Sequence, residues 1–475
     1  MRPEGEHRDP VVVVGAGVTG LAAAFELVGA GQPVVVLEAG SAVGGKLRSV
    51  SVAGIPVDAG PDAVVARRPE AVGLAKEAGL GDDLVPPGVS GAFVWARHRL
   101  RRLPEGLALG VPTRLGPLAR SGILGPLGLA RAGLDLLARR PAHEGPGDAA
   151  VGALVTRRLG RQVAARLADP LIGGIHAGPT AAMSSAAVFP PLLAAARTPG
   201  SLMRNLRPPA PPPSPPSGPA FLTLRQGLWH LAPVLAELVA RRGGEVRLDQ
   251  PVEALHPVGA GRWRVQGPGL DLEAAGVVLA LPAWAAAQVL AEDPTTAGLG
   301  RRLGALEHAS VAVATFAFRP GGPAERWRQA SGTGYLVPAE QGLLGTGCTW
   351  LSSKWPHLAP GGPVLVRVSA GRDGDRRAEA LDDQRLGRRL LAELRAVAGD
   401  VDEPLDAVVV RWPEAFPQYR VGHLDWVAQL EAATALHPGL ALAGAYLRGV
   451  GVPACVAAGR AAARALLGQP AGSRA

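Results

Sequence analysis

Cysteine is nearly missing: Cys348 and Cys455 are the only two in 475 residues, and no CxxC pair occurs. Two thiols cannot staple a secreted fold, so the pattern suits buried thiols in a reducing cytosol. Lysine is as scarce, with only Lys46, Lys76 and Lys354. The formal charge of +9 therefore rests on arginines scattered among Ala, Gly and Leu, with aromatics at only 4%. A nucleic-acid surface wants basic stretches interleaved with aromatics, so a nucleic-acid partner is excluded. Long apolar runs are lacking too. The longest uncharged stretch, residues 170–196, is broken by Pro170, Pro179, Pro190 and Pro191. A bilayer span needs about 20 predominantly apolar residues, so the chain reads as soluble. The opening MRPEGEHRDP is polar and lacks a signal-peptide core, which makes a cytoplasmic location the expectation. HExxH and GxSxG are absent, so neither a metal site nor a nucleophilic triad is expected.

What the chain does have is glycine and proline, 64 and 45 residues, within an apolar content of 47%. That composition marks a folded protein with many tight turns, long enough for two or three domains. Residues 11–14 (VVVV) read as a buried strand, GAGVTG as a turn into a helix ending near Val28, and PVVVLE as a second strand. Residues 105–205 have helical periodicity, RLGPLARSGILGPLGLARAGLDLLARR (114–140) in particular, and read as a helical domain. A proline-rich loop follows at 206–220. Helix returns at HLAPVLAELVARRGG, then short strands (EVRLDQPVEALHPV, RWRVQG, GVVLALP). TGYLVPA, GLLGTGCTWL and VLVRVSA suggest an antiparallel sheet in a second domain. The end, GLALAGAYLRGVGVPACVAAGRAAARALL, reads as strand, Gly-rich turn and Ala-rich helix. The fold class is therefore α/β: a discontinuous Rossmann-like domain (9–66, 221–286 and 404–470), an α+β substrate domain (67–104 and 287–403) and the helical domain.

GAGVTG carries the chemistry. Gly15 makes the tight turn, Gly17 lets a pyrophosphate approach the backbone, and Gly20 lets the helix pack on the strand. The helix N-terminus offers free N–H groups, so Ala16, Val18 and Thr19 belong to the same phosphate cradle. Glu38, eighteen residues beyond Gly20, reaches a ribose hydroxyl, and an acidic residue there disfavours NADP.

The stretch that follows decides between NAD and FAD. EAGSAVGGK, with Glu38, Ala39, Gly44, Gly45 and Lys46, resembles the E…GG(R/K) extension of flavoproteins of the amine-oxidase and protoporphyrinogen-oxidase kind. GAYLRGVGVPACVAAGRAAA, residues 444–463, resembles their closing motif, in which a Gly-rich turn and helix N-terminus sit against the flavin. The cofactor implied is FAD, held from both ends of the chain. LPEGLALGVPTRLGPLARSG, RLADPLIGGIHAGPTAAMSSAAVFP, FLTLRQGLWHLAPVLAELV, TGYLVPAEQGLLGTGCTWLSSKWPHLAP and RWPEAFPQYRVGH resemble, in order, blocks of the protoporphyrinogen and coproporphyrinogen oxidase family, bacterial branch.

The resemblance implies an oxygen-dependent, six-electron aromatisation of coproporphyrinogen III in haem biosynthesis. A meso carbon gives hydride to flavin N5 and a pyrrole N–H loses a proton, three times over, with O2 reoxidising the flavin to yield peroxide. Gly60, Pro61, Asp62 and Ala63 match the family's block at the flavin edge. Val252 matches the residue whose backbone meets the adenine, and Trp412 a position close to the cofactor. Gly444, Val450, Gly451 and Val452 match the closing contact. Arg68 stands where relatives carry a lysine suspected in substrate binding or catalysis. Its guanidinium suits a propionate but cannot shuttle a proton. His176 stands at a family tyrosine position and is a candidate base. Arg67, Lys354 and Arg420 are candidates for the carboxylate end of the substrate cavity. The partners implied are a tetracarboxylate tetrapyrrole and O2, and contact with a membrane surface or a haem-pathway enzyme is compatible with that role. Protoporphyrinogen IX oxidase shares every motif and is the alternative, followed by a flavin amine oxidase or a non-catalytic flavin-binding partner protein. Oligomeric state is not legible.

Overall fold

The structure is a computed structural model that describes residues 9–207 and 218–468. Most of the proline-rich loop lies outside the described residues. Val11–Val14 forms the centre of a five-stranded parallel sheet, flanked by Val34–Leu37 and Glu245–Arg247 on one side and Gly276–Leu279 and Leu440–Leu442 on the other. All but the edge strand Glu245–Arg247 are unbroken apolar runs, because both faces are covered there. Val11 and Val13 pack beneath helices Val18–Gly29, Leu231–Arg241 and Val452–Leu466. Val12 and Val14 face the meander Ala254–Ala274, helix Ala283–Ala291 and helix Ala297–Gly304.

The second half is a seven-stranded sheet in the order Asp406–Pro417, His308–Phe318, Val364–Ala370, Gly345–Trp350, Gly334–Leu336, Phe93–Ala96, Arg99–Arg102. It is antiparallel except where Gly334–Leu336 runs parallel to Phe93–Ala96. Three domain boundaries differ from the expected ones. Asp406–Pro417 belongs to this sheet rather than to the dinucleotide half, because it pairs along nearly the whole of His308–Phe318. Helix Pro69–Glu77 instead buries Ala71, Leu74 and Ala75 in the dinucleotide core. Residues 287–304 also stay with the parallel sheet, through Val289, Leu290, Leu299 and Leu303.

Residues 105–205 build their own core around Leu118, Val155, Leu167 and Leu192. The stretch 114–140 is not one helix: Gly122 ends Leu115–Ser121 in a left-handed conformation and Pro126 opens Pro126–Gly133. Ala164–Gly173 winds as a π-helix around Pro170. Proline has no N–H and crowds the carbonyl four residues back, so the wider turn relieves both problems. Among the described residues no helix is long and apolar enough to cross a membrane.

The first and last helices touch backbone to backbone. A Cβ on Gly459 would overlap the Thr19 carbonyl oxygen, and one on Gly20 would overlap that of Gly15. Gly459→Val should therefore destabilise the fold by about 1–3 kcal/mol, the usual cost of overpacking. Urea unfolding should report this as a lowered midpoint, and an unchanged midpoint would refute the packing argument.

Candidate active site

That close approach sets two helix N-termini side by side. Helix Val18–Gly29 begins at Gly17 and helix Val452–Leu466 at Gly451; neither has a side-chain cap or an acidic residue in its first turn. Their free N–H groups and dipoles make a strongly anion-attracting cleft. A Cβ on Gly17 would meet nothing within 4 Å, so that face is open. The Gly44–Lys46 turn folds back on it: Gly44 N–H donates to the Ala16 carbonyl at 2.8 Å, and a Cβ on Gly45 would reach Gly17 Cα at 3.3 Å. The Glu38 carboxylate accepts the N–H groups of Ala16 (2.8 Å) and Gly40 (2.9 Å), with Ala39 exposed beside it. Gln250 N–H donates to the Glu38 carbonyl, which brings half-buried Val252 to this end of the cleft.

Lys46 is open to water yet hemmed in by protein, as a side chain lining a deep cleft would be, and the desolvation lowers its pKa. The Cys455 thiol of the last helix lies within its electrostatic reach. Gly60 sits against Lys46: a Cβ there would overlap the Lys46 carbonyl oxygen and come 3.8 Å from Trp412. The Trp412 indole N–H donates to the Ala59 carbonyl at 3.0 Å, and Arg48 lies over its ring at 4.9 Å.

Beyond Gly60 and Pro61 the chain buries a charge. Asp62 accepts from Lys354 Nζ (2.9 and 3.0 Å) and the Trp355 indole (2.9 Å), and pairs with Arg367 at 3.2 Å. Burial works to raise its pKa, but the two cations and the indole hydrogen bond win, so it is held well below the ordinary carboxylate range. Arg367 also donates to the carbonyls of Asp58 and Gly60. Asp58 accepts the N–H groups of Leu228 and Trp229, but burial dominates and, with the nearby Asp62 charge, pushes it up to about 7.

The closing turn is held as firmly. The Tyr419 hydroxyl accepts Gly449 N–H at 2.8 Å and donates to the Ala445 carbonyl. Its ring stacks on His423 at 3.8 Å, whose Nε2 donates to the Leu447 carbonyl at 2.9 Å. Gly444 is packed tightly under Tyr446, and Val452 is buried while Val450 and Gly451 keep some access.

The other expected residues are dispersed. Arg67 and Arg68 are exposed at the start of helix Pro69–Glu77, with Glu70 3.9 Å from Arg68. His176 is buried, its Nδ1 has no hydrogen-bond partner, and burial beside His423 drops its pKa to about 4. The structure corrects the expectation for Lys354 and Arg420. Lys354 spends its charge on Asp62, and Arg420 on Glu307 and Asp373 (2.8 Å), so neither is free for a substrate carboxylate. Sequence reasoning missed Arg367 and Tyr419. The first is a lone cation in the apolar strand VLVRVSA, and the second is one of only three tyrosines.

An open glycine face, two uncapped helix starts and a cation-lined cleft fit a dinucleotide with a flavin at its far end. The family model for flavin containing amine oxidoreductases matches residues 18–467. The chain belongs to that family, and FAD is its cofactor. Within the family it falls in the coproporphyrinogen and protoporphyrinogen oxidase group. It is 32% identical to the coproporphyrinogen III oxidase of Bacillus subtilis, covering 95% of this chain and 96% of that one. Identity to the enzyme of the same name from Mycobacterium tuberculosis (strain H37Rv) is 36%, over 94% and 95%. A crystal structure of a candidate protoporphyrinogen oxidase from Exiguobacterium sp. 255-15 superposes with a TM-score of 0.84 at 30% identity, over 98% of this chain and all of that one.

Two consequences can be measured. Lys354→Met leaves buried Asp62 with one cation fewer and should cost about 3–5 kcal/mol in urea unfolding; a loss under 1 kcal/mol would contradict the pairing. Asp58 has a folded pKa near 7 against an ordinary value near 4. The folded state thus binds its proton more tightly, and this stabilisation is complete below about pH 4 and gone above about pH 7. The Tm of wild type minus that of Asp58→Asn should fall steadily across that window. A flat difference would show that Asp58 does not titrate there.

Proposed function

We propose that the protein oxidises coproporphyrinogen III to coproporphyrin III in haem biosynthesis, with O2 as terminal acceptor and in the cytoplasm. The observation that carries this is the likeness to coproporphyrinogen III oxidases over nearly the whole chain, at 32% and 36% identity. When bound, FAD would supply the hydride acceptor for the six-electron oxidation, with O2 as the terminal acceptor.

The chain's own groups bind and orient. The N-termini at Gly17 and Gly451 would hold the pyrophosphate and the electron-rich edge of the flavin, with Lys46 adding a cation between them. Gly60, Pro61, Asp62 and Ala63 would form the wall at the ring, with Asp62 locked by Lys354, Trp355 and Arg367 so that the wall does not move. Ala39 and Val252 would lie at the adenosine end, Trp412 near the ring, and Gly444 and Val450 to Val452 along the closing side. Arg67 and Arg68 remain as charged donors for substrate propionates, and bidentate geometry suits a guanidinium. His176, neutral with an unpartnered Nδ1, would offer one polar contact at the rim of the cavity.

Purified protein should be yellow and should turn coproporphyrinogen III into fluorescent coproporphyrin with oxygen uptake. A colourless preparation, or a marked preference for protoporphyrinogen IX, overturns the reading. Arg68→Ala should raise KM several-fold with kcat nearly unchanged, and an unaltered KM removes Arg68 from the substrate.

A further inference from the structure

The seven-stranded sheet has two unlike faces. Val364, Val366, Val368 and Ala370 point to one of them and are buried with Leu386, Leu390 and Leu394 of helix Asp383–Ala398. Arg367 and Ser369 alternate onto the other, where Arg367 reaches the Asp62 wall. Beyond Arg367 this second face is incompletely covered. Ser369 and its cross-strand partners Val313 and Gly347 are half-buried, and so are Thr349 and Leu336. The end of the π-helix stands over it, since a Cβ on Gly174 would lie 4.0 Å from the Leu336 side chain. A partly covered, mostly apolar face between the flavin wall and the helical domain suits a large apolar ring.

The strand that carries Arg367 and Ser369 runs on into GRDGD, residues 371–375. Gly371 takes φ +92°, and a Cβ there would come 2.6 Å from the Ser310 carbonyl oxygen, so only glycine makes this turn. Asp373 N–H then donates to the Ala177 carbonyl at 2.7 Å, which ties the turn to the exit of the π-helix beside His176. Arg372 is thereby held between the sheet and the π-helix. Three carboxylates lie around it, and each has donors of its own. Asp169 is 3.9 Å away, and its Oδ1 accepts the Thr180 N–H at 2.9 Å and hydroxyl at 3.0 Å. Asp373 is taken by Arg420 at 2.8 Å. Asp375, bridged to Arg372 through the backbone, is taken by Arg377 at 2.7 Å. Among the described residues the Arg372 guanidinium makes no hydrogen bond, yet its side chain is only 21% exposed. Arginines of similar exposure elsewhere, Arg328, Arg395 and Arg460, all bind carbonyls or carboxylates. A cation largely out of water without an acceptor is costly, and an anionic ligand would remove that cost.

We propose that Arg372 binds a propionate carboxylate of the tetrapyrrole and so fixes how the ring lies over the flavin wall. This rests on the reading of a porphyrinogen substrate. The planar fork can take both carboxylate oxygens at once. The propionate is remote from the reacting carbon, so the contact is equally strong before and during the reaction. Its loss therefore falls on KM and not on kcat.

The test uses FAD-loaded protein with coproporphyrin III, a stable tetracarboxylate, and its tetramethyl ester, the same ring without the charges. Arg372→Met should weaken coproporphyrin III binding, read by tryptophan quenching, about 10-fold or more, the scale of a charge-assisted hydrogen bond. Ester binding should stay unchanged. KM for coproporphyrinogen III should rise by a similar factor, with kcat within twofold and FAD content unaltered, and Arg372→Lys should recover part of the loss. Asp169→Asn should leave KM within twofold. Arg372→Met with full FAD and an unchanged KM overturns the proposal, as does an equal loss for acid and ester. An Asp169→Asn variant as impaired as Arg372→Met overturns it in favour of a purely structural pair. Labelling of wild type decides even if Arg372→Met fails to fold. Coproporphyrin III, and not the ester, should slow phenylglyoxal modification of Arg372 several-fold by peptide mass spectrometry, and an unaltered rate overturns the proposal. A wild-type protein that neither turns over coproporphyrinogen III nor binds coproporphyrin III would instead overturn the substrate reading.

Discussion

Asp62 keeps its charge where water does not reach, and the two halves of the molecule are arranged around answering it. An isolated buried carboxylate costs several kcal/mol. Lys354, Trp355 and Arg367, which answer it, all come from the seven-stranded sheet and the short helix that follows one of its strands. Asp62 comes from the loop that leaves the dinucleotide half. The charge is satisfied only when the halves dock in one register, and Arg367 adds two carbonyls of the same loop to the contact. A hydrophobic cluster of Val52, Val57, Trp355 and Leu365 closes over the same junction and keeps water out. Apolar area makes the docking favourable, while the ion cluster makes it specific.

The same economy shows in how the arginines behind the formal charge of +9 are used. Arginines here work largely as structural donors. Arg328 binds two backbone carbonyls and Glu325, Arg377 holds Gly342 and Leu343, and Arg460 and Arg464 converge on Glu26. A planar fork of five donors suits carbonyls and carboxylates alike, which an ammonium does not. Of the three lysines, two stand at the active-site wall, Lys46 in the cleft and Lys354 on Asp62. Arg67 and Arg68 are exposed and engaged with at most one distant carboxylate, as Arg99, Arg120 and Arg388 are with none among the described residues.

The parallel sheet and its cradle were legible because each glycine there answers a steric demand that the residue pattern states. Gly15, Gly17 and Gly20 follow an apolar strand at fixed spacing, and the closing motif repeats the device 430 residues later. The domain boundaries were less legible. Asp406–Pro417 has no composition shift to show that it leaves the dinucleotide half; it does so because His308–Phe318 offers a partner along its length. Arg367 was hidden for the opposite reason, since one cation in an apolar strand looks like an interruption until Asp62 is placed beside it. Lys354 and Arg420 misled because sequence shows a charge but not what already neutralises it.

The electrostatics of the cleft also limit which residue types can accept a proton in it. Two helix starts and Lys46 make the region electropositive. A carboxylate paired with cations, as Asp62 is with Lys354 and Arg367, is stabilised as the anion and becomes a weak base. Arginine never gives up its proton, and lysine near a second cation lowers its affinity at the cost of its binding role. Imidazole is the side chain whose proton affinity, reduced by burial and partly restored by a carboxylate, stays closest to neutrality. His176 has the burial, but its titratable neighbour is another histidine, which adds to the loss.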